Sequence, residues 1–133
     1  MIPLPQTKGI RYGVMGLGRS GRAAATALLA SGAEVLAWDD SATTVPDGVH
    51  RQDFGTGAWP ALTGLVWSPG ISFLHPTPHP VAVRAGHQGC PLLCDIDLLA
   101  GAGTGAALVG ITGTNGKSTT TALLAHVLST VGR

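Results

Sequence analysis

The stretch Gly16-Leu17-Gly18-Arg19-Ser20-Gly21 decides the fold that we predict for this chain. It has the spacing GxGxxG, it follows a strand candidate at residues 11–15, and it precedes a helix candidate at residues 19–31. In this setting the glycines allow a tight turn and let the backbone approach a diphosphate at the helix N-terminus. The pattern therefore predicts a Rossmann-like βαβ unit with a phosphate-binding loop.

Apolar runs and turn residues after this loop predict further strands and helices. A second strand, Glu34–Trp38, ends at two acids, Asp39 and Asp40. The remaining predictions are, in chain order, a short strand at 49–51, a helical turn at 55–61, a strand at 65–67, a helix at 80–87, a strand at 91–94 and a helix over 95–100 capped by Asp95. Strands that alternate with helices indicate an α/β fold, with a parallel sheet and helices on both faces.

A second glycine-rich stretch near the C-terminus reads Gly113-Thr114-Asn115-Gly116-Lys117-Ser118-Thr119. An apolar run at 106–111 precedes it and predicts a strand, and a helix is predicted to follow, with its packing face formed by Thr121, Leu124, Ala125 and Leu128. This is the arrangement of an ATP-binding P-loop. Backbone amides surround phosphate oxygens, Lys117 reaches the outer phosphates, and the hydroxyl of Ser118 or Thr119 can hold Mg²⁺.

The run Gly101–Gly105 has the composition of a linker between these two parts. We therefore predict a Rossmann-like domain over residues 1–104. Residues 105–133 are predicted to be the first strand, P-loop and helix of a second α/β domain that the chain does not complete.

The bulk composition limits the possible partners. Charged residues make up only 11% of the chain and the net charge is +1, which gives no electrostatic reason to expect nucleic acid or an anionic membrane surface. No apolar run is long enough to span a bilayer, and the N-terminus lacks the layout of a signal peptide. A cytoplasmic location is the expectation.

The residues leave alternatives open for the function. The GxGxxG loop, with Asp39 at the end of the next strand, is also typical of an NAD-binding domain of a dehydrogenase, in which the acid binds ribose hydroxyls. That reading leaves residues 113–119 unexplained. A stand-alone nucleotide sensor with two phosphate loops is the third reading. It ranks last because a single-helix P-loop part buries too little core.

The order of motifs along the chain resembles the Mur ligases of peptidoglycan synthesis, and among them the D-glutamate-adding members. Between the two phosphate loops lie Ser68-Pro69-Gly70-Ile71, then His75-Pro76, then Asp95-Ile96-Asp97-Leu98, as in that family. The strict P-loop pattern has glycine where this chain has Ile111, and the glycines of this chain are Gly110 and Gly113 instead. The first glycine of the P-loop is displaced in the same way in the Mur ligases.

The resemblance implies that the first loop binds a UDP-sugar rather than NAD. Three groups of residues would form the site: Gly18, Arg19 and Ser20 near the diphosphate and uridine, Asp39 and Asp40 near the uracil, and Ser68, Pro69 and Gly70 on the other side of the crevice. The family often carries a basic residue two positions after the first acid. Here that position is Ser41.

The resemblance also implies the reaction. An ATP-dependent ligase would phosphorylate the carboxylate of UDP-N-acetylmuramoyl-L-alanine, and D-glutamate would attack the acyl phosphate. Lys117 would be a catalytic residue that stabilises charge on the moving phosphoryl group. The family's other catalytic residues would lie beyond Arg133, so we expect the chain by itself to be inactive.

Overall fold

A parallel sheet of short strands forms the centre of the first part of the chain. The computed structural model describes residues 2–42, 44–103 and 105–132. Its strands and helices are β1 (Arg11–Met15), α1 (Arg19–Ala30), β2 (Glu34–Trp38), β3 (His50–Arg51), β4 (Gly64–Trp67), α2 (Pro80–His87), β5 (Leu92–Leu93), α3 (Asp95–Ala100) and α4 (Lys117–Thr130). The chain divides into two compact units, Met1–Gly103 and Thr104–Arg133.

The sheet lies in the first unit and has the order β3-β2-β1-β4-β5, with every pair parallel. Tyr12 of β1 is in register with Val35 of β2 on one side and with Gly64 of β4 on the other. The chain winds outward from β1 to β3 and then returns to place β4 on the other side of β1. The winding direction therefore reverses between β1 and β4, where open α/β sheets bind their ligands.

Alternate side chains of the strands enter two separate cores. Tyr12 and Val14 point to the layer of α1 and α3, whereas Met15 packs with α2 residues such as Val81 and Ala85. This follows from the period of two along a strand, which sends neighbouring side chains to opposite faces. The α/β fold with helices on both faces of a parallel sheet is therefore confirmed.

Glycines set the close contacts between layers. A Cβ atom added at Gly21 of α1 would lie 1.8 Å from the carbonyl oxygen of Gly16, so only glycine allows the helix to start against the loop. In the other layer, a Cβ at Gly13 would lie 2.6 Å from Cδ1 of Leu65. Gly21 thus determines how near α1 can approach the turn after β1, and Gly13 lets side chains of the other layer approach β1.

The predicted helical turn at 55–61 is wrong, because this segment forms bends instead. The guanidinium group of Arg84 in α2 donates to the carbonyls of Phe54 (2.8 Å), Thr56 (3.1 Å) and Gly57, and it lies over the ring of Trp59. Arg84 thus holds this segment through contacts with a residue about 30 positions away, which its local sequence does not encode.

The predicted cap of α3 is also wrong by one residue. Cys94 is the N-cap, and its backbone N–H donates to Oδ2 of Asp97 at 2.7 Å, so an acid in the first turn binds back to the cap residue. The predicted helix over 95–100 and the strands near 11–15, 34–38, 50–51, 65–67 and 92–93 are confirmed, with shifts of a residue or two at their ends.

The second unit contains the predicted helix, α4, but residues 106–111 form no strand. Among the described residues of this unit there is no other strand with which 106–111 could pair, and a strand needs such a partner for its hydrogen bonds. The predicted packing face of α4 is not buried, since Leu124 alone is half-buried and the other members are exposed. In the described part of the chain, no helix is both long and apolar enough to cross a membrane.

The contact at Gly21 yields a stability prediction. We expect Gly21→Ala to lower the free energy of unfolding by about 3 kcal/mol, because the new methyl group would force α1 away from the loop. Gly86→Ala in α2 is the matched control. A Cβ there would meet nothing within 4 Å, and removing a helical glycine should raise stability by about 0.4–1 kcal/mol.

Urea unfolding of both variants measures the difference. Equal stability of Gly21→Ala and the wild-type chain would contradict the close approach of α1 to the loop.

Candidate functional site

The residues predicted for the first site come together at one edge of the sheet. Strands β2, β1 and β4 are neighbours and parallel, so the segments that follow them lie side by side. The structure places the predicted residues in these segments: Gly18, Arg19 and Ser20 after β1, Asp39 and Asp40 after β2, and Ser68, Pro69 and Gly70 after β4. Of the predicted residues, Ser20, Ser68 and Pro69 line one crevice, and the others lie in the segments next to it.

The turn after β1 is held between the two neighbouring strand ends. The N–H of Gly16 donates to the carbonyl of Trp38 at 2.8 Å, and the N–H of Ser68 donates to the carbonyl of Met15 at 2.9 Å. Gly16 has φ = +89°, and a Cβ atom on it would lie 2.6 Å from Cβ of Ser68. Glycine is required at this position by both backbone conformation and space.

Gly18 has a different role from Gly16 and Gly21. It is the N-cap of α1, and a Cβ added to it would meet nothing within 4 Å. The protein itself therefore does not need glycine there for packing. The open space lies at the N-terminus of a twelve-residue helix, where a residue without a side chain leaves the first-turn amides accessible to an anionic ligand.

Asp39 connects the second strand to the glycine loop. Its Oδ2 accepts from the N–H of Leu17 at 2.6 Å, and its Oδ1 accepts from the N–H groups of Ser41 and Ala42, both at 2.8 Å. The amide of Leu17 is the main reason that the pKa of Asp39 lies below its ordinary value; the amides of Ser41 and Ala42 and the charge of Arg22 act in the same direction. The carboxylate is thus kept ionised beside the loop.

Arg22 holds the same loop from the other side. Its Nε donates to the carbonyl of Leu17 at 2.9 Å, so both polar backbone groups of Leu17 are bonded to charged side chains. The sequence carried no signal for this backbone contact of Arg22. Arg19, in the first turn of α1, is exposed.

Asp40 is bonded to two aromatic side chains. Its Oδ1 accepts from Nε1 of Trp38 at 2.8 Å, and its Oδ2 lies 2.8 Å from Nε2 of His79, the N-cap of α2. The sequence predicted a ligand contact for Asp40 and gave no indication of His79, which lies 39 residues further along the chain. Only the fold brings the two together.

The crevice at the switch point is narrow, and a larger cavity lies beside it. Ser20, Gly21, Ser68, Pro69 and Asp95 line the crevice, together with Val66 and Trp67. Sequence reasoning did not include Asp95 in the site, although its position at the start of α3, next to the strand ends, was the available signal. A cavity of about 450 Å³ extends past Pro69 and is lined by Trp67, Phe73, Leu92, Leu93, Cys94 and Asp97.

The second predicted site lies in the second unit. Gly113 (φ = +147°) and Gly116 (φ = +76°) have backbone conformations that favour glycine, and Gly116 is the N-cap of α4. Nζ of Lys117 donates to the carbonyl of Gly113 at 2.6 Å, across the loop. Ser118 and Thr119 are exposed in the first turn of α4, where their hydroxyl oxygens suit Mg²⁺, which takes few protein ligands when phosphates are present.

Comparison with known proteins identifies the family. The chain is 54% identical to the UDP-N-acetylmuramoylalanine–D-glutamate ligase of Rhodospirillum rubrum over 96% of its own length, and 50% identical to that of Paramagnetospirillum magneticum over 99%. The ligase of the same name from Rhizobium meliloti is 41% identical over the whole chain. A scan against protein-family models gave no match. The chain belongs to the Mur ligase family.

The resemblance to Mur ligases predicted from the motifs is thereby confirmed, and the names of these relatives argue against the dehydrogenase alternative. The chain spans about 30% of the length of these relatives. The match therefore concerns one part of a Mur ligase, and both glycine loops lie within it.

The lowered pKa of Asp39 yields a prediction about pH and stability in this Mur ligase segment. A carboxyl whose pKa is lower in the folded than in the unfolded chain stabilises the fold fully above the unfolded-state value, which is about 4. That contribution disappears as the pH falls through the folded-state pKa. We therefore expect the loss of stability caused by Asp39→Asn to be largest near neutral pH and to shrink as the pH falls below about 4.

Urea unfolding at about pH 7, 5 and 3 measures this effect. Asp47→Asn removes an exposed carboxylate of a nearby loop and reports the general effect of losing one negative charge. A destabilisation by Asp39→Asn that stayed constant across this pH range would contradict the stabilisation of the carboxylate by the three amides.

Proposed function

We propose that the first unit binds UDP-N-acetylmuramoyl-L-alanine as the nucleotide-sugar part of an ATP-dependent D-glutamate ligase of peptidoglycan synthesis. The remaining acceptor capacity of Asp39 carries the proposal. A carboxylate has about four lone-pair sites, and three are taken by the amides of Leu17, Ser41 and Ala42. The fourth can accept one hydrogen bond, and the uracil of UDP has a single N–H donor.

The names of the relatives, rather than this count, argue against a nicotinamide dinucleotide. The acid of a dinucleotide site accepts from the ribose 2′-hydroxyl, and one free acceptor would also serve that contact. Recognition of uracil keeps all three backbone bonds of Asp39 intact.

The diphosphate would lie over Gly18, at the N-terminus of α1. The open space above Gly18, the uncapped first turn and the exposed side chain of Arg19 support this placement. Ser20 and Ser68 face the same crevice and can donate hydroxyl hydrogens to the sugar or phosphate oxygens. Asp40 takes part in the site as the neighbour of Asp39 in the turn that follows β2.

The second loop would bind ATP through residues 113–119, with Mg²⁺ on the hydroxyl of Ser118 or Thr119. Lys117 would leave the carbonyl of Gly113 and place its ammonium group against the outer phosphates. When the γ-phosphoryl group moves to the substrate carboxylate and ADP leaves, this charge stabilises the phosphoryl oxygens. The amine of D-glutamate would then attack the acyl carbon, release phosphate and lose a proton to form the amide.

We expect the 133-residue chain by itself to produce no ADP from ATP. None of the α4 side chains described is buried, and the P-loop is exposed, so the second unit has no closed site in which a phosphoryl group is shielded from water.

Calorimetry tests the first site. The chain should bind UDP-N-acetylmuramoyl-L-alanine and give no heat with NAD⁺ or NADH. Arg19→Ala should weaken binding by up to about 1.5–3 kcal/mol, the contribution of a well-formed hydrogen bond to a charged group. Lys8→Ala removes a cation just before β1, at the opposite edge of the sheet, and should leave the affinity unchanged.

Heat with NADH and none with the UDP-sugar would restore the dehydrogenase alternative. Equal loss of affinity in Arg19→Ala and Lys8→Ala would show that net charge, and not a contact at α1, determines binding.

Lys117 provides a test of the second site in a full-length ligase that contains this chain. Lys117→Ala should lower turnover about 100-fold or more, because the transferring phosphoryl loses its positive partner. Lys117→Arg should also fail, since a planar guanidinium does not fit a loop built around a compact ammonium. The affinity for the UDP-sugar should stay unchanged in both variants. Near-normal turnover of Lys117→Ala would contradict the proposal that residues 113–119 are a P-loop that binds ATP.

A further inference from the structure

His79 forms two hydrogen bonds with different partners. Its Nδ1 accepts from the backbone N–H of Val81 at 3.2 Å, which caps α2. A nitrogen that accepts carries no proton, so in the neutral ring the proton lies on Nε2. Nε2 therefore donates to Oδ2 of Asp40, at 2.8 Å. The two bonds fix both the tautomer and the direction of the ring.

The surroundings of His79 hold the ring between two strand ends. The imidazole lies edge-on to Trp67, the last residue of β4, with 5.7 Å between ring centroids. Asp40, its partner, follows β2 and also accepts from the indole N–H of Trp38. The guanidinium group of Arg51 lies 4.7 Å from the Trp38 ring. His79 thus joins the end of β2 to the start of α2 beside the crevice.

The bond to Asp40 acts on the segment that the ligand would meet. We define residues 39–42 as the acid turn. Asp39 folds this turn by binding the amides of Ser41 and Ala42, and it joins the turn to the glycine loop through the amide of Leu17. Asp40 fixes the acid turn from outside at a second point, through Trp38 and His79.

We propose that His79 is a positioning residue for the nucleotide site: through Asp40 it holds the acid turn so that Asp39 presents its remaining acceptor to the base. Asp40 then serves as the link between His79 and the acid turn rather than as a base contact. The identity of the ligand rests on the proposed function, whereas the effect of His79 on the acid turn does not.

Two substitutions each remove one of the two hydrogen bonds of His79 and keep the other. His79→Asn keeps a good N-cap acceptor for α2, but its side chain is too short to reach Asp40. The side chain of His79→Gln has an N–H donor about as far from the backbone as Nε2 of histidine, so it can still donate to Asp40. It has no acceptor in place of Nδ1, so the hydrogen bond that caps α2 is lost. A residue with a purely structural role would show the larger loss in His79→Gln, in stability and in binding together.

Binding of UDP-N-acetylmuramoyl-L-alanine and thermal unfolding are measured for both variants. We expect His79→Asn to bind the UDP-sugar about two- to fivefold more weakly, with an almost unchanged Tm. This is the loss of affinity expected when a partly exposed pair such as His79–Asp40 is removed. His79→Gln should keep the wild-type affinity and show a lower Tm. The loss in the chain that carries both Asp40→Asn and His79→Asn should be smaller than the sum of the two single losses, because the two substitutions share the His79–Asp40 bond.

Amide hydrogen exchange of the unliganded chain tests the same effect without a ligand. In His79→Asn the exchange rates of the Ser41 and Ala42 amides should rise, while those in the middle of α2, such as Ala85, stay as in the wild-type chain.

The outcomes separate this inference from the proposed function. Wild-type affinity and unchanged exchange in His79→Asn would overturn the positioning role alone. Equal loss of affinity in His79→Asn and His79→Gln would also overturn it, because the loss would then not depend on the bond to Asp40. Failure of the wild-type chain to bind the UDP-sugar would overturn the proposed function, and the hydrogen exchange would still decide the role of His79.

Discussion

The approach of α1 to the carbonyl of Gly16 is the constraint on which the rest of the first unit depends. With glycine at position 21, the helix starts closer to the loop than any side chain would allow. Its N-terminus therefore lies directly beyond the end of β1, at the switch point of the sheet. If α1 were displaced by the width of a methyl group, the amide of Leu17 would move from the oxygen of Asp39, which accepts from it at 2.6 Å.

The charged residues of the site act first on the protein itself. Asp39 and Arg22 bind the amide and the carbonyl of Leu17, and Asp40 binds Trp38 and His79. Because hydrogen bonds to charged groups contribute about 1.5–3 kcal/mol when well formed, these contacts set the shape of the loops before any ligand arrives. The site is therefore pre-organised, and a bound nucleotide would lose less of its affinity to the ordering of loops.

The sequence predicted those parts of the fold that depend on neighbours in the chain. Strands β1 and β2 follow from apolar runs between turn residues, and the turn after β1 follows from the spacing of its glycines. The bends near residue 57 were not predictable in this way, because they depend on Arg84, a residue of a later helix. The His79–Asp40 bond has the same origin. Its partners carry no local pattern, and they meet only because β2 and β4 flank β1.

The second unit shows the same difference between structure that depends on neighbours in the chain and structure that depends on distant segments. Helix α4 is present although none of its described side chains is buried, because its hydrogen bonds connect residues within the same segment. Residues 106–111 have the apolar composition of a strand, yet they form none, because the hydrogen bonds of a strand go to a neighbouring segment. Leu108 and Val109 are exposed for the same reason. An apolar run thus predicts a strand only where the fold supplies a neighbouring strand with which it can pair.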